Sequence, residues 1–270
     1  MIIELLNGKK LDIADYSLKR LFHYIPSISL QHSVEMVDGR DGGIFTESQF
    51  TERVITVELL YESSDIQDFY LLRDEINALF TRKESFNIIF KGEPYKRYLV
   101  KLNQGFTIEP HMYMNAFEIE FTCVSLFGES TATTTKLKKE WDVNQWSWNG
   151  QISWDDDISY KYTTNDFVVH NLGSAQIDPR QSDLKITIQG TFPNGIIIKN
   201  QSTNEEYKYT QPLTTGDTLV LDGIRTMKNG QSDFKNTNKK LLTLSVGGNR
   251  FLIEGGTISS IEFDFRFLYL

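Results

Sequence analysis

The chain has 270 residues, 40% of them hydrophobic and 13% aromatic. That is ample for a packed core and long for one domain, since single cores stop growing at about 250–300 residues. A formal net charge of −8 argues against a nucleic-acid surface, which needs clustered Lys and Arg to neutralise phosphates. The single cysteine, Cys123, excludes a disulfide framework and a cysteine-based zinc site. No run approaches the ~20 apolar residues of a membrane span. Met1-Ile2-Ile3-Glu4 lacks the basic start and apolar core of a signal peptide, so a cytosolic origin is expected.

Four Asn-Gly dipeptides, Asn7-Gly8, Asn149-Gly150, Asn194-Gly195 and Asn229-Gly230, punctuate a chain of mostly alternating apolar residues. Asn-Gly accepts positive φ at both positions, as a type I′ hairpin turn requires, so the chain is expected to be largely antiparallel sheet. Ile2 to Ile13 reads as a hairpin turning at Asn7-Gly8. A strand-like stretch through Ile28, Leu30 and Val34 ends in the loop Asp38-Gly39-Arg40-Asp41-Gly42-Gly43. That loop lacks the spacing of a phosphate cradle. Val54–Tyr61 alternates as a half-buried strand, with Ile55, Val57, Leu59 and Tyr61 on one side.

One good helix follows. Ser64-Asp65-Ile66-Gln67 fits a capping box with Ser64 as the cap. Ile66, Phe69, Tyr70, Arg73, Ile76, Leu79 and Phe80 form its stripe, and Arg82 and Lys83 sit where cations suit the C-terminal dipole. About 17 residues with such a stripe must pack on a sheet. Strands are expected again at Phe86–Phe90, Tyr98–Leu102 and Phe117–Val124, the last turning Phe117, Ile119, Phe121 and Cys123 inward. On that parity Cys123 reads as a buried small hydrophobe and not as a nucleophile.

Large apolar residues thin out after Phe127, which places a boundary near residue 130. The expected organisation is an N-terminal domain over 1–130, a tryptophan-rich connector over 131–165, and a C-terminal domain over 166–270. The connector holds all four tryptophans, Trp141, Trp146, Trp148 and Trp154, followed by Asp155-Asp156-Asp157. Eight β segments then follow: Phe167–Leu172, Leu184–Gln189, Gly195–Asn200, Glu206–Tyr209, Thr218–Asp222, Leu241–Val246, Arg250–Glu254 and Ile258–Tyr269. Short strands with regular turn signals predict a sandwich or jelly roll.

Residues that carry chemistry are scattered. His23, His32, His111 and His170 show no i,i+4 pair, and neither a nucleophile elbow nor a zinc-protease helix is present. Glu118 and Glu120 share a strand face that also reads as solvated; a glycosidase pair there would depend on spatial separation. Asp155-Asp156-Asp157 lacks the spaced ligands of a calcium loop. Trp146 and Trp148 share a strand face, and with Trp154 they are the candidate contacts for a glycan or a protein partner. The competing reading packs their indoles at a domain junction. No catalytic residue, metal site or cofactor is expected.

The order of these features resembles the distal tail protein family of long-tailed phages. The matching residues are the N-terminal hairpin, the loop from Val37 to Gly42, the strand Arg53-Val54-Ile55-Thr56-Val57 and the helix from Asp68 to Ile76. They continue through Arg97-Tyr98-Leu99-Val100, Asn171-Leu172-Gly173, the run from Gly216 to Leu221 and the run from Leu244 to Phe251. The resemblance implies a mainly β chain with a split-barrel-like N-terminal domain and a galectin-like or carbohydrate-module-like C-terminal sandwich. It implies a homo-oligomeric ring, usually a hexamer, at the virion tail tip. Such a ring joins the tail tube protein to the tail-associated fibre or lysin protein and can hold receptor-binding proteins. DNA would pass through its lumen, for which an acidic wall is expected, with no specific nucleic-acid binding. It implies no catalytic residues. Two other readings are a carbohydrate-binding module for a host wall glycan, centred on Trp146 and Trp148, and a wall hydrolase.

Overall fold

The computed structural model describes residues 1–39, 41–111, 113–137, 142, 144–145 and 158–270. The chain divides into two compact units, Met1–Gly128 with Leu270, and Glu129–Tyr269.

The first unit opens with β1 (Ile2–Leu5) and β2 (Lys10–Asp12). Their turn differs from the type I′ expected. Only Gly8 has positive φ (84°), and its N–H donates to the Leu5 carbonyl at 2.8 Å. Leu6 and Asn7 therefore occupy a type I turn and Gly8 the left-handed bulge position. Next come β3 (Leu18–Tyr24), β4 (Leu30–Met36), β5 (Gly43–Phe50) and β6 (Val54–Glu62). These four form one long hairpin. Its base pairs β3 with β6, its tip pairs β4 with β5, and Ser29 bonds to Thr51 and Glu52 in between.

The helix α1 runs Ile66–Phe80. Its cap is Asp65 and not Ser64: the Asp65 carboxylate accepts from the Asp68 N–H at 2.8 Å, and the Asp68 carboxylate accepts from the Ser64 N–H at 2.7 Å. A carboxylate outcompetes a hydroxyl because it adds charge at the positive helix end. At the other end the Arg82 Nε donates to the Leu79 carbonyl at 2.8 Å, so this cation satisfies an orphan acceptor from outside the helix. The buried stripe is Phe69, Leu72, Ile76, Leu79 and Phe80. Ile66 and Tyr70, expected inside, face out, because the stripe is rotated toward Leu72.

Strands β7 (Phe86–Ile89), β8 (Lys96–Leu102) and β9 (Met114–Cys123) complete the unit. The sheet runs β2-β1-β7-β8-β9-β6-β3, with every neighbour pair of known register antiparallel. Ile55, Val57 and Leu59 of β6 and Ile119 and Phe121 of β9 meet Phe69, Ile76 and Phe80 of the helix in one core. Each such side chain contributes about 1.5–3 kcal/mol by leaving water. Phe80 and Phe121 lie 5.7 Å apart, centroid to centroid. The buried Tyr61 hydroxyl donates to the Glu109 carbonyl and accepts from the His111 N–H, each at 2.9 Å.

The second unit begins at the boundary strand β10 (Gly128–Ser130), then β11 (Lys161–Tyr162), β12 (Asp166–Asn171), β13 (Leu184–Thr191), β14 (Ile196–Asn200) and β15 (Glu205–Tyr209). It continues with β16 (Thr218–Asp222), β17 (Arg225–Lys228), β18 (Gln231–Ser232), β19 (Gly247–Glu254), β20 (Thr257–Phe265) and β21 (Leu268–Tyr269). A six-stranded sheet, β11-β20-β13-β16-β17-β18, faces a four-stranded sheet, β12-β19-β14-β15. Their inner faces meet at Phe251 and Phe263, 5.0 Å apart, and at Phe167 and Phe263, 6.0 Å apart. The unit is an antiparallel sandwich.

Here too the Asn-Gly signals part company. Asn229 (φ 52°) and Gly230 (φ 79°) both take left-handed conformations and form the expected I′ turn between β17 and β18. Asn194-Gly195 instead carries the chain from one sheet to the other, with only Gly195 at positive φ (88°). A Cβ on Gly195 would fall 2.2 Å from the Tyr209 carbonyl oxygen, so glycine serves a close backbone approach there. The expected strand Leu241–Val246 reduces to one bridge, Leu244 with Ile177. Leu242, Thr243 and Leu244 are buried in succession, and the Thr243 N–H and carbonyl are met by the Glu205 carboxylate and the Asn200 amide. The expected last strand is split at Arg266 into β20 and β21. Asn149-Gly150 lies outside the described residues.

Candidate assembly surface

The feature that sets the N-terminal unit apart is the β4–β5 arm. All fifteen of its strand residues, seven in β4 and eight in β5, are exposed. An antiparallel pair ordinarily buries one face, and an isolated two-stranded hairpin is marginal in water. This arm nonetheless carries Leu30, Val34, Met36, Ile44, Phe45 and Phe50 to solvent, with Met36 74% and Phe45 71% exposed. Leu30 opposes Phe50 and Val34 opposes Phe45 across the strands. Local bonds hold its shape: His32 Nδ1 and Ser48 Oγ are 2.8 Å apart, and the Thr46 hydroxyl donates to the Ser33 carbonyl at 3.1 Å. Gly43 leaves room for its neighbour, because a Cβ there would meet the Val34 side chain at 2.1 Å and force it to shift.

Beside the arm's base, β3 ends the sheet. Among the described residues no hydrogen bond reaches its backbone from the free side. Phe22 and Tyr24 on this strand are 60% and 57% exposed. A seven-residue edge with apolar side chains is a template for another chain's strand.

The sandwich treats its edges differently. Along β12 the Tyr160 hydroxyl donates to the His170 carbonyl at 2.9 Å, and the Tyr162 hydroxyl donates to the Val168 carbonyl at 2.7 Å. Along β15, Asn238 donates from its N–H to Lys208 and from its amide to Glu206, at 3.0 and 2.9 Å. The outer strands of the other sheet, β11 and β18, have two residues each.

The residues expected to carry chemistry come together nowhere in the described part. Trp146, Trp148 and Trp154, the candidate contacts, lie outside the described residues, as do Trp141 and Asp155-Asp156-Asp157. Among the described residues no group of three or more His, Cys, Asp or Glu is placed to hold a metal. His23 stacks on Phe90 with centroids 4.0 Å apart; burial, then the neighbouring Arg20 cation, hold its pKa below the usual imidazole value. Glu120 accepts from Asn103 and Gln104 at 3.0 and 2.9 Å while Glu118 is exposed on the same strand. Burial pushes the Cys123 thiol up to about 11, as befits a core residue.

The glycine loop at the arm's tip is legible in the sequence, but β3 and β5 are not. A bulge between Arg20 and Phe22 breaks the alternation of β3, and Thr46-Glu47-Ser48-Gln49 makes β5 read as a solvated loop.

Residues 11–123 match the family model of the phage tail protein RIFT-related domain. No curated protein matches the sequence. Among solved structures, the crystal structure of Dit (gp 19.1) of phage SPP1, described as a paradigm of the hub adsorption apparatus in phages infecting Gram-positive hosts, superposes with a TM-score of 0.70. It is 16% identical and the alignment covers 99% of each chain. Two structures of the phage p2 baseplate in its activated conformation, with Sr and with Ca, align at 12% identity over 98% of this chain and 96% of theirs, with TM-scores of 0.47 and 0.45. The N-terminal unit is thus similar over residues 11–123 to the phage tail RIFT-related domain. The chain as a whole is Dit-like in fold.

Proposed function

We propose that the protein is a non-enzymatic component of a long-tailed phage tail tip, built as a hub ring of six copies. In this reading the ring joins the tail tube to the tail-associated fibre or lysin protein, DNA passes through its lumen, and the sandwich is available to receptor-binding proteins. The observation that carries the proposal is the pairing of an unsupported apolar arm with an uncapped edge in one unit. Arm and edge are different surfaces, so a contact between them is head-to-tail, and head-to-tail contacts generate a ring when the rotation closes. Burial in a neighbour would also stabilise a hairpin that is marginal alone. The similarity to a phage tail domain over residues 11–123 supports the same reading.

Negative-stain imaging of the purified protein tests the proposal. Annular particles with a central hole are the expected result; fields of single monomer-sized particles at every concentration would refute it.

A further inference from the structure

At one end of the sandwich lies an open depression of ≈ 330 Å³, counting the solvent at its mouth. Its floor includes Leu184 and Leu241, and Ile224 and Phe234 stand at its lip, 58% and 38% exposed. Arg225 and Lys240 line it as well. The surrounding stretch from 225 to 240 holds five cations, Arg225, Lys228, Lys235, Lys239 and Lys240, against a single acid, Asp233, in a chain whose net charge is −8.

Most of that positive charge is uncommitted. Lys228 is taken by the Pro212 carbonyl at 2.9 Å and the Asp217 carboxylate at 3.5 Å. Asp233 is taken by the Tyr209 hydroxyl and the Asn236 amide, both at 2.6 Å. Among the described residues Arg225, Lys235, Lys239 and Lys240 form no ion pair. The nearby Glu206 is already bonded to Lys208 at 2.8 Å.

We propose that this depression docks an acidic protein segment, with an apolar side chain of the partner seated between Ile224 and Phe234 and flanking carboxylates on Arg225 and Lys240. The chemistry selects a peptide over a phosphate polymer. A phosphate would answer the cations but leave Ile224 and Phe234 in water, whereas a leucine or phenylalanine next to Asp or Glu answers both. The inference does not rest on the ring, since none of these residues lies in the arm or the N-terminal sheet.

The test uses the full-length protein and a fluorescein-labelled peptide, Asp-Glu-Leu-Phe-Asp-Glu, followed by fluorescence anisotropy. Binding should weaken about tenfold in each of Arg225→Glu, Lys240→Glu and Ile224→Ser, and similarly when Leu-Phe in the peptide becomes Ala-Ala. A peptide with Lys in place of its acids should not bind. Failure of the acidic peptide to bind up to millimolar concentration would overturn the proposal. So would equal binding by the Arg225→Glu/Lys240→Glu double variant, or equal binding of the Ala-Ala peptide, which would mark a purely ionic surface. All three substituted side chains are exposed, so thermal melts of the variants should superpose on the parent's.

Discussion

The two units of this chain solve the same problem of sheet edges in opposite ways. The sandwich closes its borders from within, using tyrosine hydroxyls on β12 and Asn238 on β15. Its buried amides are also met: Asn171 by Ala175, Asn200 by Thr243, and Asn249 by Ser245. The N-terminal unit leaves β3 open, projects a fully exposed arm, and buries the Arg53 guanidinium with Nε and Nη1 unpartnered. One unit caps its long edges. The other leaves an edge strand and an apolar arm bare.

If that contrast is right, perturbations should separate the units. The largest effect belongs to the helix–sheet core. Phe80→Ala should cost about 3–5 kcal/mol, the range for truncating a buried phenylalanine. Calorimetry should show one of two transitions moving down while the other stays. Coupled movement of both transitions would break the picture of independent cores.

Next is Arg53, only 3% exposed. Two nitrogens of its buried guanidinium lack hydrogen bonds, so Arg53→Met should stabilise the N-terminal unit by about 1–3 kcal/mol in chemical denaturation. Loss of stability would show that the guanidinium is compensated within the unit. Smaller still is Tyr162→Phe. Removing the hydroxyl that covers Val168 should cost about 1 kcal/mol and open the β12 edge, detectable as concentration-dependent association of the sandwich. An unchanged melt with unchanged association would show that the cap is idle.

The mildest effect concerns Cys123. Burial disfavours its thiolate and pushes the thiol up from the ordinary 9.0 to about 11. The folded state therefore holds this proton more tightly than the unfolded state. The corresponding stability is fully present below about pH 9 and is lost as pH rises toward 11. A thiol-specific disulfide reagent at pH 8 should label the protein only after unfolding; rapid labelling of the folded protein would place Cys123 at the surface.

These contrasts were unevenly legible in the sequence. The covered strands declared themselves, since Ile55, Val57, Leu59 and Tyr61 alternate against one helix. The helix was plain, although its cap shifted one residue because Asp65 competes with Ser64 at the same geometry. What the sequence concealed is the exposed arm and the open edge beside it. Periodicity reports burial within one molecule, and an arm that is bare in the monomer has no buried face to advertise. In the same way Asn194-Gly195 looked like a hairpin turn, because a local signal cannot say which sheet the next strand joins.

Light scattering compares the central claim with its alternative most directly. Wild-type protein is run beside a variant whose residues 31–49 are replaced by a short glycine-serine turn. The wild type should give six times the monomer mass of 31.2 kDa. The shortened variant should stay monomeric with an unchanged sandwich transition. Identical masses for the two proteins, whether single or multiple, would show that the arm does not hold the copies together.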